Sequence, residues 1–206
     1  MNITIFIVII TSIVSIIAFQ NHEIFDKFKF NAFAVKHSGQ WYRAFTYGLL
    51  HADWAHLAIN MFVLYSFGGV VELIFKSIFP EKYILYFLLL YIGGISFSII
   101  FDMKKYKDEP SYNAVGASGA VSAIVFASIL LYPIGKISLL FIPIGIPSFV
   151  FGILYLVYSA YMDKKKIDNI GHSAHFWGAV FGFVFPILIK PTLFVGFINQ
   201  ILFLLQ

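Results

Sequence analysis

The chain of 206 residues is 60% hydrophobic and only 12% charged, and it contains no cysteine. Soluble domains carry about a quarter of charged residues, so this composition excludes an ordinary soluble protein. It also excludes disulfides, thiolate nucleophiles and cysteine-ligated metals. The formal net charge of +4 comes without a basic stripe, so the sequence does not indicate nucleic acid as a partner.

The apolar residues form long blocks separated by short charged loops, which is typical of membrane spans. Six blocks approach the ~20 residues that a helix needs to cross a bilayer. In chain order we predict spans at 3–19, 54–75, 82–101, 115–132, 146–161 and 172–189. The first is interpreted as a retained helix rather than a signal peptide, because no small-residue cleavage pattern follows it. The sequence therefore predicts a single all-α membrane domain.

The long first loop, residues 20–53, interleaves aromatic residues with cations. Aromatic rings and snorkelling lysines are typical of the membrane interface, so we expect this loop to lie there. The residues concerned are Phe25, Phe28, Phe30, Phe33, Trp41, Tyr42 and Phe45, with Lys27, Lys29, Lys36 and Arg43.

The fifth span and the tail are irregular. Pro143 and Pro147 lie in the first half of the fifth apolar block, so we expect its regular helix to start near Pro147, leaving ~15 residues. The last stretch, 192–206, is too short for a confident seventh span and carries Asn199 and Gln200 midway. We expect it to be an interfacial segment.

Polar residues that are unusual inside a membrane lie at the starts of the second, fourth and sixth spans. In a six-span chain these three spans begin at the same membrane face. The second carries His56 and Asn60, which share one helix face at i and i+4. The fourth opens with Gly116–Gly119 and the sixth follows Gly171 with two histidines, His172 and His175. Ionisable groups inside a membrane are costly and mark function by default.

Few chemistries are open to this group. No acidic residue lies at that depth within a span, so a carboxylate pair is not available, and the His-Glu-x-x-His pattern of zinc proteases is absent. The remaining nucleophile is the hydroxyl of Ser118, which needs an adjacent base such as histidine. His56, Asn60 and the Ser118 backbone N–H are candidate donors to an oxyanion.

Spacing alone does not settle the contact between Ser118 and His175. Small residues such as those around Ser118 also serve helix packing in membranes. His175, Gly178 and Gly182 share one face of the sixth span, which predicts a close approach to another helix. The small-residue stripe of the fourth span, within 119–127, does not include Ser118 in an ideal helix, so the contact stays open.

These motifs resemble those of rhomboid intramembrane proteases in their basic six-span form, along nearly the whole chain. The matching segments are Gln40–Arg43, His51–His56 with Asn60, Gly116–Gly119, and Ala174–Gly178 with Gly182. The resemblance implies a rhomboid-like bundle of six transmembrane helices that cleaves transmembrane protein substrates near the outer membrane boundary.

By that resemblance, Ser118 and His175 form a catalytic dyad without an acid. His56, Asn60 and the Ser118 N–H would form the oxyanion hole, with Gly116 among the substrate-stabilising positions. The resemblance implies no cofactor and no metal. The expected partners are transmembrane substrates and membrane lipids.

The resemblance also assigns supporting positions. Arg43 would hold the first loop in place, and the fifth span would act as a lateral gate. We interpret His172 and Ser173 as the start and cap of the sixth helix, and His51 as a structural loop histidine. The remaining positions expected to be structural near the site are Trp41, Gly119, Gly178 and Gly182.

Orientation is the point on which two indications disagree. Ten of the 14 lysines and arginines lie in the first, third and fifth loops, and four lie on the other side. The positive-inside rule would put the catalytic mouth in the cytoplasm. The resemblance implies the opposite, with cytoplasmic termini and a mouth that opens to the outside of a prokaryotic inner or plasma membrane, and we follow the resemblance.

Two other functions are open to the same residues. One is a catalytically silent relative that binds membrane proteins. The other is a metal or proton transporter using His51, His56, His172 and His175. No intramembrane acid accompanies these histidines and no charged row continues to the other face, as a proton relay would need.

Overall fold

The computed structural model describes residues 2–139, 142–168 and 170–204, and most of them are helical. In chain order the helices are α1 (Ile3–Gln20), α2 (His22–Phe28), α3 (Ala32–Ser38), α4 (Arg43–Thr46), α5 (Trp54–Ile78), α6 (Tyr83–Ser98), α7 (Ile100–Lys105), α8 (Ser118–Leu131), α9 (Ser148–Lys165), α10 (His172–Ile189) and α11 (Thr192–Leu204). A 3₁₀ turn, Tyr47–Leu49, follows α4, and the strands β1 (Lys136–Leu139) and β2 (Ile142–Pro147) separate α8 from α9.

A helix lies along each of the six segments predicted as spans, and the predicted fold class, an all-α rhomboid-like membrane bundle, is confirmed. Among the described residues, four helical stretches are long and apolar enough to cross a membrane: α1, α5, α10, and α6 together with α7. The third of the predicted spans is thus not one uninterrupted helix, because the chain breaks regular helix at Ile99 between α6 and α7.

Helix α8 is the centre of the bundle, although it has only 14 residues. Every residue from Gly119 to Leu130 is buried, because α5, α6 and α10 surround it. Its N-terminus lies three residues later than predicted, and the non-helical residues 115–117 precede it. Irregular backbone at membrane depth is tolerated where protein covers it, and Gly116 and Ala117 are both buried.

Small residues let α6 and α10 approach α8 closely. A Cβ added to Gly94 of α6 would lie 2.9 Å from the Cα of Ala120. Cβ atoms added to Gly178 and Gly182 of α10 would overlap the backbone carbonyls of Gly119 and Ala123. The close approach predicted for the sixth span is therefore made to the small-residue stripe of α8.

The start of α1 is fixed by Glu72, a buried residue of α5. Its carboxylate accepts hydrogen bonds from the N–H groups of Ile3 and Thr4, at 3.0 and 3.1 Å, and from the Thr4 hydroxyl at 2.8 Å. An anion at a helix N-terminus satisfies unpaired N–H groups and interacts favourably with the helix dipole. This contact holds α1 against α5.

The hairpin of β1 and β2 was not predicted. The two strands pair antiparallel, with Lys136 opposite Pro147 and Ile137 opposite Ile146. Helix α9 then starts at Ser148, directly after Pro147, close to where the prolines placed it. It has 18 residues rather than about 15, because it continues beyond Tyr161 to Lys165.

The first loop is folded into α2, α3, α4 and the 3₁₀ turn. One expectation for it is wrong: Phe30, expected among the interfacial aromatics, is completely buried and packs against Tyr47. Trp41, Tyr42 and Phe45 are exposed, and the interfacial position of the loop stays a prediction.

The tail forms the helix α11. None of its described residues is buried, but Phe197 packs edge-on against Phe183 of α10, and Gln200 donates to the carbonyl of Leu131 at 3.4 Å. It therefore lies against the bundle beside the C-terminal end of α8. Whether it also lies at the membrane interface stays a prediction.

Candidate active site

Ser118 is the first residue of α8, and the glycine two residues before it decides the geometry around it. Gly116 has a φ of +125°, which side-chain-bearing residues rarely adopt. A Cβ added there would lie 2.8 and 3.0 Å from Cε1 and Nε2 of His56, and 3.8 Å from Oγ of Ser118. The imidazole of His56 and the hydroxyl of Ser118 thus border one small space, which exists because residue 116 has no side chain.

The first loop and α6 hold the segment that leads to Ser118. Phe30 and Ala114 form an antiparallel bridge with N–H···O distances of 2.9 and 3.1 Å, and the N–H of Gly116 donates to the carbonyl of Tyr47 at 3.1 Å. The Tyr47 hydroxyl in turn donates to the carbonyl of Ile95 at 2.7 Å. The position of the serine therefore depends on residues far from it in sequence.

His56 lies in the first turn of α5, which Asp53 caps by accepting from the His56 N–H at 2.7 Å. The N–H of Ala52 lies 3.4 Å from Nδ1 of His56, which can only accept there. In a neutral imidazole this leaves the proton on Nε2, the nitrogen that faces Gly116. His56 is thus oriented as a hydrogen-bond donor towards the space beside Ser118.

Asn60 is buried one turn after His56 on the same helix face. Its Nδ2 donates to the carbonyl of His56 at 2.9 Å, which uses one of its two N–H bonds and leaves the second for another acceptor. The predicted pair of donors therefore sits on one face of α5.

His51 is fully buried under His56, with ring centroids 4.9 Å apart in an edge-on arrangement. The Ser15 hydroxyl donates to the carbonyl of Leu49 at 2.7 Å and lies 2.9 Å from Nδ1 of His51, so it accepts the Nδ1 proton. Burial, with a smaller contribution from His56, lowers the pKa of His51 to about 3. His51 is therefore a buried, neutral neighbour of His56, and its structural role stays a prediction.

His175 is half-buried in the first turn of α10, on the helix whose glycines contact α8. Tyr155 of α9 lies nearly parallel to it, with ring centroids 6.4 Å apart, and the Tyr155 hydroxyl is fixed 2.6 Å from Oγ of Ser122 on α8. In the part of the chain that the structure describes, no hydrogen bond joins Ser118 to His175. Catalytic hydrogen bonds are often long without substrate and tighten only in the bound complex.

The structure shows which residue at the start of α8 contacts α10. Gly119, not Ser118, meets Gly178, and a Cβ on Gly119 would also lie 3.4 Å from the carbonyl of Ala174, next to His175. Ser118 therefore lies at the edge of the α8–α10 contact, between α5 and α10. The packing interpretation thus applies to Gly119. Ser118, at the adjacent position, stays the predicted nucleophile.

Arg43 makes several hydrogen bonds, whereas the side chain of Trp41 is exposed. Arg43 donates from Nη1 to the carbonyls of Asp26 and Lys29 at 2.7 and 2.8 Å, and from Nε to the side chain of Gln40. It thus ties α4 to α2, as a residue that holds the first loop would. Trp41 is 63% exposed, and among the described residues its side chain makes no hydrogen bond or ring contact.

One pair of residues was missed. His172 begins α10 as expected, but Ser173 does not cap the helix, and His172 is buried with its Nε2 3.0 and 3.2 Å from the two carboxylate oxygens of Asp168. The spacing of four residues between an acid and a histidine was visible in the sequence. Asp168 lies in the loop before the helix, where its link to the site depends on the fold.

Comparison with known proteins points to one family. The model of the rhomboid domain matches residues 38–192, which include every candidate site residue. RHOMBOID-like protein 12, mitochondrial, from Arabidopsis thaliana is 28% identical over 153 residues, covering 69% of this chain and 44% of that protein. Rhomboid protease GluP from Bacillus subtilis (strain 168) is 30% identical over 145 residues, covering 70% of this chain and 25% of that protein. The chain thus spans less than half the length of either relative.

Proposed function

Because the chain belongs to the rhomboid family of intramembrane proteases, we propose that it is a serine endopeptidase of transmembrane proteins, with Ser118 as nucleophile and His175 as general base. The observation that carries the proposal is the convergence at Gly116 of the Ser118 hydroxyl and the imidazole of His56. A nucleophile beside an oriented donor is what attack on a peptide carbonyl requires.

The proposed reaction proceeds in two stages. Oγ of Ser118 bonds to the carbonyl carbon while its proton passes to His175, and the carbonyl oxygen becomes an oxyanion. As the oxyanion collapses, the C–N bond breaks and His175 returns the proton to the leaving amine. Water then attacks the carbonyl carbon of the acyl ester while His175 takes a proton from it. The ester C–O bond breaks to release the carboxylic acid, and His175 passes the proton taken from water to Oγ of Ser118.

In this proposal three donors would stabilise the oxyanion. The Ser118 N–H is one of the N–H groups that have no partner within the first turn of α8. Nε2 of His56 faces the same space, and Asn60 retains an N–H beyond its bond to the His56 carbonyl. A preorganised donor of this kind is worth about 3 kcal/mol of transition-state stabilisation.

The substrate would enter sideways, because an intact membrane helix cannot be threaded through lipid with its backbone unpaired. Helix α9 packs mainly against α10 and α8, and its outer residues Ile153 and Val157 are exposed. Because α9 packs little against α5, the side between these two helices is the proposed entrance. By analogy with the family, we place this mouth outside a prokaryotic inner or plasma membrane.

A second candidate is a catalytically silent member of the family that binds membrane proteins. The observation that favours it is that Ser118 and His175 are not hydrogen-bonded to each other within the described residues. Reactivity of the serine separates the two candidates, because a silent relative needs no activated hydroxyl.

The test is labelling of the purified, membrane-reconstituted protein by a fluorophosphonate, combined with cleavage of a transmembrane substrate. We expect wild type to be labelled and active, and Ser118→Ala and His175→Ala each to lose cleavage, with no further loss in the double variant. Ser128→Ala is the matched control, since Ser128 is a buried serine nearer the other end of α8. Substantial cleavage by Ser118→Ala protein would contradict the proposal.

A further inference from the structure

The first turn of α10 carries a second histidine on the same face as the base. His172 precedes His175 by three residues, so their side chains are neighbours on the helix surface. The ring centroids are 5.9 Å apart, with the planes nearly perpendicular. The side chain of His172 is only 4% exposed. The edge of a second, buried imidazole therefore lies beside His175.

Asp168 gives this second histidine a fixed charge partner. Its two carboxylate oxygens lie 3.0 and 3.2 Å from Nε2 of His172, and Oδ1 also accepts from the N–H of Ile170 at 3.2 Å. The hydrogen bond from His172 is the main reason that the pKa of Asp168 lies below its ordinary value. The carboxylate is thus an anion near neutral pH, and Nε2 of His172 carries a proton.

The other nitrogen of His172 is unusual. Nδ1 is buried and has no hydrogen-bond partner among the residues that the structure describes. A buried polar group left unpaired costs about 1–3 kcal/mol, and such groups are rare in folded proteins. A histidine at the surface could make the same hydrogen bond to Asp168, so this bond does not explain why His172 is buried. The burial of this imidazole against His175 therefore calls for a role.

We propose that His172, held by Asp168, is a positioning residue for His175, and that the pair supplies the negative charge that a Ser–His dyad lacks. This inference rests on the proposed function. When His175 takes the proton of Ser118 it becomes a cation. The carboxylate of Asp168 stabilises that cation across the ring of His172, while the buried ring limits the rotamers open to His175.

Among the described residues, Asp168 is the only carboxylate that a hydrogen bond joins to either histidine of this turn. The other titratable groups near this end of α10 are His56 on α5, Tyr155, Tyr158 and Asp163 on α9, and Asp102 on α7. Asp102 accepts from the Tyr112 hydroxyl at 2.7 Å and interacts with Ser173 rather than with a histidine, and the Tyr155 hydroxyl is paired with Ser122. Tyr158 packs edge-on against His172, with ring centroids 5.7 Å apart.

The experiment measures kcat and KM from pH 5 to 9 for the full chain in liposomes, with a transmembrane substrate. In Asp168→Asn we expect kcat to fall about tenfold at unchanged KM. Without the anion His175 is harder to protonate, so the acidic limb of the kcat profile should move to lower pH by up to about one unit. Asp168→Glu, which keeps the charge, should restore most of kcat.

Asp108→Asn is the matched control. Asp108 is an exposed loop carboxylate that also lies 3.2 Å from a histidine, His37, and its pKa is likewise lowered, by Lys36 first. We expect its replacement to change neither kcat nor the acidic limb. His172→Phe should lower kcat as Asp168→Asn does, and the double variant should be no worse than either single one, as for residues that act as a unit.

Two results would overturn the inference alone: Asp168→Asn behaving like the control, or a fall in kcat with the acidic limb unmoved, which indicates a merely structural role. Thermal unfolding of each variant shows whether a fall in kcat reflects loss of fold, and the limb is measured on the folded fraction. Absence of any Ser118-dependent cleavage in wild type would instead overturn the proposed function, and this inference with it.

Discussion

Replacing Gly116 by alanine perturbs the point where the proposed nucleophile and oxyanion donor meet. At a φ of +125° an alanine is strained by about 1–3 kcal/mol. The new methyl group would also lie 2.8 Å from Cε1 of His56, closer than van der Waals contact allows, so the imidazole must move. Loss of one oxyanion donor slows turnover roughly 10²- to 10³-fold. We expect Gly116→Ala to lower kcat by that factor.

The assay is cleavage of a transmembrane substrate in liposomes, with thermal unfolding measured in parallel. Gly39→Ala is the control, because Gly39 also has a positive φ, +65°, but nothing lies within 4 Å of an added Cβ. Both variants should unfold at a lower temperature, and only Gly116→Ala should lose turnover in its folded fraction. Wild-type kcat in folded Gly116→Ala, or an equal loss in Gly39→Ala, would refute the reasoning.

Three further results are expected. Asn60→Ala should slow turnover by about one to three orders of magnitude, and a change in KM alone would remove Asn60 from the oxyanion hole. Burial lowers the pKa of His51 from 6.5 to about 3. As the pH falls from 6.5 towards 3, His51 therefore binds a proton in the unfolded chain before it does so in the folded one. Stability should therefore drop there by up to roughly 1.4 kcal/mol per pH unit, and His51→Gln should flatten this part of an acid-unfolding curve. Leu156→Ala, which removes a partly buried side chain from the packing of α9, should speed cleavage of a transmembrane substrate but not of a soluble one. Val157→Ala is the control, because Val157 is exposed. Equal acceleration of both substrates by Leu156→Ala would argue against lateral entry.

The helices and the composition of the site were predictable because each rests on a local signal. Apolar blocks bounded by charged loops mark helices along a chain whatever their partners, and an alternating chain direction brings the starts of α5, α8 and α10 to one face. The glycines of α10 predicted a close helix contact by their spacing alone. These signals need no knowledge of which residues are neighbours in space.

The features that were missed or predicted wrongly depend on distant partners. Phe30 has sequence surroundings similar to those of the half-buried Phe28 and Phe33, and its bridge to Ala114 accompanies its position in the core. The hairpin requires residues 136–139 to find residues 142–147, in a segment whose prolines indicated only a broken helix. The Asp168–His172 pair has a suggestive spacing, but the fold decides that His172 is buried beside His175.

The nucleophile segment shows why the first loop is long. Residues 114–117 are irregular backbone within the fold, so their polar groups need partners that no regular helix supplies. The loop provides them through the bridge of Phe30 and the carbonyl of Tyr47, and Arg43 holds that part of the loop together through the carbonyls of α2 and the residue after it. Arg43 therefore has a structural role in the loop. Lys36 and Lys29 have one as well, because each pairs with a carboxylate. Several of the loop cations that make the positive-inside count disagree with the family orientation are therefore accounted for by the fold of the loop. The positive-inside rule counts these cations without regard to such contacts, and the family orientation stays our prediction.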